Sequence, residues 1–277
     1  MTARRRSDTL LVTRVGLDDG EAPTLRRRPD ELIVEEPLTV HLDGHVVSTT
    51  MRTPGHDYEL AVGFCFTEGL LAGAAVEEVR YCATGSALDT AFNVVTVSTG
   101  GRAPVPTPRL GVTSSSCGLC GTEQIDTLAT RLEPLAPLDA GTVGLDVLAG
   151  VPGSVLGAQG LFASTGAVHA AAAFTLDGEV VCVREDVGRH NALDKVIGRL
   201  ALDGSLPARG LGAFVSGRAS FELVSKAWAA GFSALVAVSA PTALAVQTAR
   251  RAGLVLAGFV RHDTMNLYSP ERWEHPR

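Results

Sequence analysis

The sequence predicts an α+β protein whose C-terminal half is a layered α/β domain. Three observations carry this. Short apolar runs alternate with helical ones from residue 211 to residue 260, the pattern of buried parallel strands joined by crossover helices. The N-terminal part reads instead as strand, strand, helix, strand, strand. Hydrophobic residues are 45% of the chain but aromatics only 5%, so Ala, Val, Leu and Gly must build the core. With 277 residues the chain is long enough for two domains.

Residues 1–22 read as an irregular, flexible start. Arg4, Arg5 and Arg6 suggest the basic part of an export signal, but only Leu10, Leu11 and Val12 follow as an apolar core. Residues 31–42 and 45–51 read as strands around Asp43-Gly44, a strong hairpin signal. Asp57 is placed to cap a helix ending near residue 68, with Gly69 as its stop. Two strands follow, at 76–82 and 91–98. This ββαββ order makes residues 23–110 a small α+β roll. The Pro-rich stretch 100–108 reads as a linker, with the boundary near Gly111.

Residues 111–277 form the second predicted domain. Helices are expected at 122–132 and 141–156, and strands at 170–176 and 179–183 around Asp177-Gly178. Residues 187–200 are amphipathic, with Leu193, Val196, Ile197 and Leu200 on one face. Strands at 211–216, 234–239 and 254–260 then alternate with helices at 220–230 and 241–252. Gly231 and Gly253 stop the helices, and Pro241 sits near a first turn.

Composition excludes several roles. A net charge of -6 argues against nucleic acid as a partner. Residues 147–176 are uncharged and long enough to raise a membrane question, but Pro152, Gln159, His169 and several Gly make a poor spanning helix. Five Cys, an odd number, make a poor disulfide framework and suit a reducing cytoplasm. Cys65, Cys82 and Cys182 lie in apolar runs and read as buried, inert thiols.

Cys117 and Cys120 differ. They stand three apart among Ser and Gly, just before a predicted helix whose unpaired N–H groups favour thiolate. Three readings fit: a persulfide carrier, a dithiol/disulfide couple, or half of a zinc site. Zinc needs two more ligands, and no second CxxC or HxxxH exists. His169, followed by Ala170 and Ala171, lacks the His-x-Glu of zinc deaminases. No structural metal is therefore expected.

The polar run from Arg184 to Lys195, which includes Arg189 and His190, falls at a strand end and a helix start. It reads either as a solvated cap with ion pairs or as a ligand edge. Ser216, Gly217 and Arg218 repeat that geometry after the next strand, in a form suited to phosphate. Ser239 and Arg261 follow the next two strands. Four strand ends thus point to one anion-binding edge.

The segments SSSCGLCG, TGAVHAAAAF, REDVGRHNALDKVIG, SGRASFELVSKAW and SAPTALAVQTARRAGLVLAGFVR, with the closing NLYS, resemble the formate dehydrogenase accessory sulfurtransferase family, FdhD/NarQ, from about Glu31 to Tyr268. The resemblance implies a small roll joined to a cytidine-deaminase-like three-layer domain, and a homodimer. It implies a sulfurtransferase that takes sulfur from a cysteine desulfurase as a persulfide and passes it to the metal of the molybdenum bis(pterin guanine dinucleotide) cofactor, bound as substrate and destined for formate dehydrogenase. Cys117 matches the family's persulfide Cys. Phe259, Val260, Arg261, His262, Asp263 and Thr264 match its cofactor-binding segment, although His262 to Met265 departs from the more basic form of that segment. Rival readings are a dithiol/disulfide oxidoreductase and a non-catalytic cofactor-binding chaperone.

Overall fold

The structure, a computed structural model, describes residues 4–17, 22–82, 86–106, 126, 130–136 and 143–270. The predicted boundary near Gly111, seven of the eleven residues of the predicted helix 122–132, and both Cys117 and Cys120 lie outside the described residues.

Residues 7–16, expected to be irregular, form strand β1 (Ser7–Gly16), paired antiparallel with β2 (Thr24–Ile33) over its whole length. The single strand expected at 31–42 is accordingly split, because its first residues belong to β2. Most of the ribbon's side chains are exposed, so no apolar-in, polar-out alternation marked it in the sequence.

The roll follows the predicted order. β3 (Glu36–Leu42) and β4 (His45–Arg52) form the hairpin, with Asp43 and Gly44 at φ 45° and 88°. Helix α1 (Asp57–Thr67) and β5 (Glu78–Tyr81) then lead to β6 (Val94–Ser98). The sheet order is β4-β3-β6-β5, with β3 and β6 parallel. A parallel pair needs a long crossover, and α1 with β5 provides it. Leu38, Val40 and Leu42 alternate inward with Val95 and Val97 against Leu60, Ala61 and Cys65 of α1.

The cap expected from Asp57 is not made. His56 occupies the cap position at φ 57° without a side-chain cap bond. Asp57 instead receives Arg52 through Nε and Nη2, both at 3.0 Å, with both residues buried. A fork-to-carboxylate pair of this kind is a stronger use of the carboxylate than one cap bond.

The second domain has three layers. Helices α2 (Leu145–Leu156) and α3 (Gly160–Thr165) lead to β7 (His169–Thr175) and β8 (Val180–Asp186). Next come α4 (Arg189–Leu202), β9 (Leu211–Val215), α5 (Phe221–Ala230), β10 (Ala234–Ala237), α6 (Ala243–Ala252) and β11 (Val255–Gly258). A last strand, β12 (Asn266–Ser269), was not expected and pairs antiparallel with β11. The sheet order is β12-β11-β10-β9-β7-β8. Helices α4, α5 and α6 bury Leu193, Ile197, Leu223, Ala227 and Ala249 on one face. Helix α2 buries Leu148, Val151 and Val155 on the other, against Phe174 and Phe214. Ser220 and Thr242 cap α5 and α6 by accepting from Leu223 N and Ala245 N, and Gly231 and Gly253 end them at φ 80° and 73°. Among the described residues no helix is long and apolar enough to cross a membrane.

Helix α1 is buried nearly all round, because the roll sheet lies on one side and α4 on the other. Gly63 of α1 and Gly198 of α4 let the two backbones touch. A Cβ on Gly63 would lie 1.9 Å from Asp194 O. The two domains are therefore packed main chain to main chain.

Candidate functional site

Strand β7 runs antiparallel to both β8 and β9, and β9, β10 and β11 are parallel. The carboxyl ends of β8, β9, β10 and β11 therefore share one edge with the start of β7. This is the edge where open α/β sheets bind ligands.

Most of the predicted site residues meet there. His169 starts β7 opposite Asp186 of β8. Ser216 Oγ accepts from Ala170 N at 2.9 Å. Gly217 lies beside His169, since a Cβ there would be 3.4 Å from its Nδ1. Ser239 N donates to Gly217 O, and Phe259 N donates to Ser239 O, each at 3.2 Å. Main-chain bonds thus link three successive turns. Phe259 adopts φ 52° and is 44% exposed, which turns the chain sharply after β11.

The remaining predicted contacts divide. Arg218 is exposed at the β9 turn, and His262, Asp263 and Thr264 are exposed after β11. Val260 is buried, with its N–H on Ala237 O. Arg261 Nη1 donates to Val238 O at 2.6 Å and to Val260 O at 3.1 Å. As placed, that nitrogen braces the neighbouring turn.

The Arg184–Lys195 run is mostly a lock between the domains, a third outcome beside solvated cap and ligand edge. Arg184 clasps Glu59 of α1 at 2.5 and 2.8 Å. Glu185 accepts from Leu161 N and Phe162 N. Asp186 and Lys195 form a buried pair at 2.6 Å, while Thr53 of the roll donates its N–H to Asp186 and accepts Lys195 on its carbonyl. Desolvation holds the Lys195 ammonium below its ordinary range, and Asp186 opposes that effect. Asn191 reaches back to Met51 O. Asp194 receives Lys226 on both oxygens at 2.9 Å, and Thr67 on one.

Two residues of the run have a different setting. Arg189 and His190 line a cavity of about 410 Å³ between the roll and the start of α4. Val40, Thr50, Met51, Leu60 and Phe64 form its roll side. Across it stand His169, Glu222 and Lys226. His190 Nε2 and Ser220 Oγ both contact Glu222 Oε2, at 3.2 and 3.0 Å. Glu222 is held below its usual range, first by the His190 bond, against burial. The His169 imidazole is lowered by burial first, then by Arg189 and His190. No sequence signal pointed to Phe64, Glu222 or Lys226, whose partners lie far away in the chain.

The other thiols are less uniform than expected. Cys65 is fully buried, and burial pushes it up to about 12. Cys82 and Cys182 are only partly buried. Burial also raises Cys182. Among the described residues no group of three or more His, Cys, Asp or Glu is placed to hold a metal.

A six-stranded sheet with helices on both faces and a hydroxyl- and Gly-lined strand edge, packed through α4 against α1 of a small four-stranded roll, defines an α+β protein. The chain belongs to the FdhD/NarQ family, whose model matches residues 33–274. It is 46% identical over 262 residues to the sulfur carrier protein FdhD of Streptomyces coelicolor, covering 92% of each chain. It is 47% identical over 249 residues to that of Mycolicibacterium paratuberculosis, covering 87% of this chain and 91% of the relative. In fold it is similar to the crystal structure of a candidate formate dehydrogenase accessory protein from Desulfotalea psychrophila. The TM-score is 0.71 at 22% identity, over 96% of this chain and 99% of that one.

Proposed function

We propose that this protein is a cytoplasmic sulfur carrier for formate dehydrogenase maturation. Cys117 takes sulfur from a cysteine desulfurase as a persulfide and delivers it to the metal of the molybdenum bis(pterin guanine dinucleotide) cofactor, bound as substrate. The observation that carries this reading is the family match across residues 33–274, with relatives that are named sulfur carriers over nearly their whole length.

The chemistry balances. The Cys117 thiolate attacks the outer sulfur of the donor's persulfide, and the donor's thiolate leaves. Delivery breaks the bond between the Cys117 sulfur and the outer sulfur: a thiolate attacks the Cys117 sulfur and is oxidised to a disulfide, and the outer sulfur leaves at the sulfide level for the metal. Where Cys120 attacks the Cys117 sulfur, the outer sulfur departs as sulfide and a Cys117–Cys120 disulfide remains. A thiol reductant then reopens it.

The strand-end edge is the proposed cargo surface. Arg218 has its guanidinium exposed, and Arg261 keeps nitrogens beyond the one on Val238 O. Turn N–H groups and Ser hydroxyls add neutral donors. A homodimer is part of the proposal, because two copies suit a cargo with two nucleotide arms.

Mass spectrometry after incubation with a cysteine desulfurase and cysteine tests the assignment. Added sulfur is expected on the Cys117 peptide. Sulfur confined to Cys120, or full formate dehydrogenase activity in a deletion strain carrying Cys117→Ala, overturns it. Light scattering during size exclusion tests the dimer, and a mass of 28.8 kDa overturns it.

A further inference from the structure

The β1–β2 ribbon leaves one of its edges open. Val34 N donates to Arg6 O at 2.9 Å, a bonded pair that extends the ladder beyond Ser7 and Ile33. Opposed residues in an antiparallel pair alternate between bonded and non-bonded. Asp8, Leu10, Val12 and Arg14 therefore bond to β2, while Thr9, Leu11, Thr13 and Val15 turn their N–H and C=O groups outward. The outward Thr9 N–H reaches only the side chain of its neighbour Asp8, at 2.9 Å. Among the described residues no third strand joins this sheet.

The two edges of the ribbon differ. On β2 the outward position opposite Leu11 is Pro29, which lacks the N–H that a further strand needs. Strand β1 carries neither Pro nor Lys, the usual guards of an exposed edge. Leu10, Leu11 and Val15 are each more than half exposed. Arg14 stands directly opposite Arg26, and neither has an ion-pair partner among the described residues. Like charges in opposed positions destabilise a strand pair, and a two-stranded ribbon is marginal by itself. The edge therefore fits a strand that brings a carboxylate to Arg14 and apolar side chains to Leu10 and Leu11.

Strand β1 itself meets that description. Laid antiparallel to a second copy about Leu11, it sets Leu11 opposite Leu11, Leu10 opposite Val12, Thr9 opposite Thr13 and Asp8 opposite Arg14. The main-chain groups that such a pairing bonds are the outward ones of Thr9, Leu11 and Thr13. Asp8 is free to turn, since within one copy it holds only Thr9 N and the exposed Arg5, at 3.4 Å. The Thr9 N–H passes to the carbonyl of Thr13 of the second copy, and Asp8 of the second copy flanks Arg14 on the side away from Arg26. A register two residues off in either direction sets Arg14 opposite Leu10 or Arg6 and loses this match.

We infer that the β1 edge is an interface between two copies of this chain, joined about a two-fold axis at Leu11 into one sheet of four strands. The inference rests on the proposed homodimer and deepens it by naming the surface.

Sedimentation velocity on the full chain over a range of concentrations tests it. Wild type is expected to self-associate. Asp8→Arg and Arg14→Asp are each expected to weaken association about tenfold or more, because each breaks two symmetry-related contacts and opposes like charges. The two reversals move the net charge in opposite directions, so a general charge effect does not weaken both. Arg14→Asp also relieves the opposition to Arg26, so its effect is not loss of the ribbon. The double variant restores most of the association. Thr13→Pro removes one outward N–H, spares the β2 ladder and weakens association by a similar factor. Melting curves confirm that each variant is folded.

A wild type that stays monomeric overturns both this inference and the proposed homodimer, and leaves the edge to a different protein. A wild type that associates, with both charge reversals associating equally well, rejects only this interface and leaves the homodimer on another surface. A double variant no better than the single ones also rejects the interface, because Asp8 and Arg14 then do not face each other.

Discussion

A Cβ on Gly198 of α4 would sit 1.8 Å from the carbonyl oxygen of Glu59 on α1. The reverse contact, Gly63 against Asp194 O, is as tight. Both neighbours are main-chain atoms, so neither can yield by a side-chain rotation. The two helices hold the roll at a fixed distance from the sheet, and the cavity beside Arg189 depends on that distance.

Gly198→Ala is therefore expected to cost at least about 3 kcal/mol, the upper end of ordinary overpacking. Gly150, in α2, faces open space, and a Cβ there would meet nothing within 4 Å. Gly150→Ala should instead stabilise by about 0.5–1 kcal/mol through helix propensity. Urea unfolding of both variants checks the pair. Equal effects would show that α1 and α4 are not in backbone contact.

Glu59 gives the fold a pH dependence. Burial alone would raise its carboxyl, but the Arg184 and His56 bonds hold it at about 2, against an ordinary 4.5. Its folded value is depressed, so its contribution is complete above about pH 4.5 and is lost as pH falls towards 2. The shift corresponds to a few kcal/mol, on the order of 3. Arg184→Met should be markedly less stable than wild type at pH 7, with the difference shrinking steadily below pH 4.5. Denaturation curves at pH 7, 4.5 and 3 measure this, and a constant difference would reject it.

The Asp186–Lys195 pair should be costly to break from one side. Both side chains are fully buried, and Thr53, Gly188 and Asn191 also donate to Asp186. Lys195→Met leaves a buried carboxylate without its counter-charge, at a cost of about 3–5 kcal/mol. Asp186→Asn in the Lys195→Met background should recover part of that loss. A single variant within about 1 kcal/mol of wild type in guanidinium unfolding would contradict the prediction.

Much of the second domain was legible because its signals are local. Leu193, Val196, Ile197 and Leu200 mark one helix face, and all four are buried. Ser220 and Gly231 bracket α5 as expected. The Arg184–Lys195 run was legible as important but not in its role. Its partners Glu59, Thr53 and Thr67 lie more than a hundred residues away, and no spacing rule connects them. The β1–β2 ribbon escaped notice because neither strand buries a regular face. Asp57 reads as a cap in the sequence, but buried Arg52 outcompetes the helix end for its carboxylate. At the candidate site, the strand-end residues were legible through sheet topology. The roll side of the cavity was not, because Thr50, Met51 and Phe64 belong to ordinary strand and helix patterns.

Thiol chemistry should exclude Cys65. It is fully buried in the roll core, and burial raises its thiol to about 12. At pH 8 the thiolate fraction is then on the order of one in ten thousand, against roughly a fifth to a quarter for an ordinary Cys. Cys182 is less buried but shifted the same way, so its alkylation should be slowed and that of Cys65 blocked. Iodoacetamide labelling of the native protein, followed by peptide mass spectrometry, should leave Cys65 unmodified until the chain is unfolded. The same samples, loaded with sulfur by a desulfurase, should carry no persulfide on the Cys65 peptide. Rapid native labelling of Cys65 would mean that the roll core opens on the time scale of the experiment. Sulfur found there would direct the search for the carrier away from Cys117 and towards the roll.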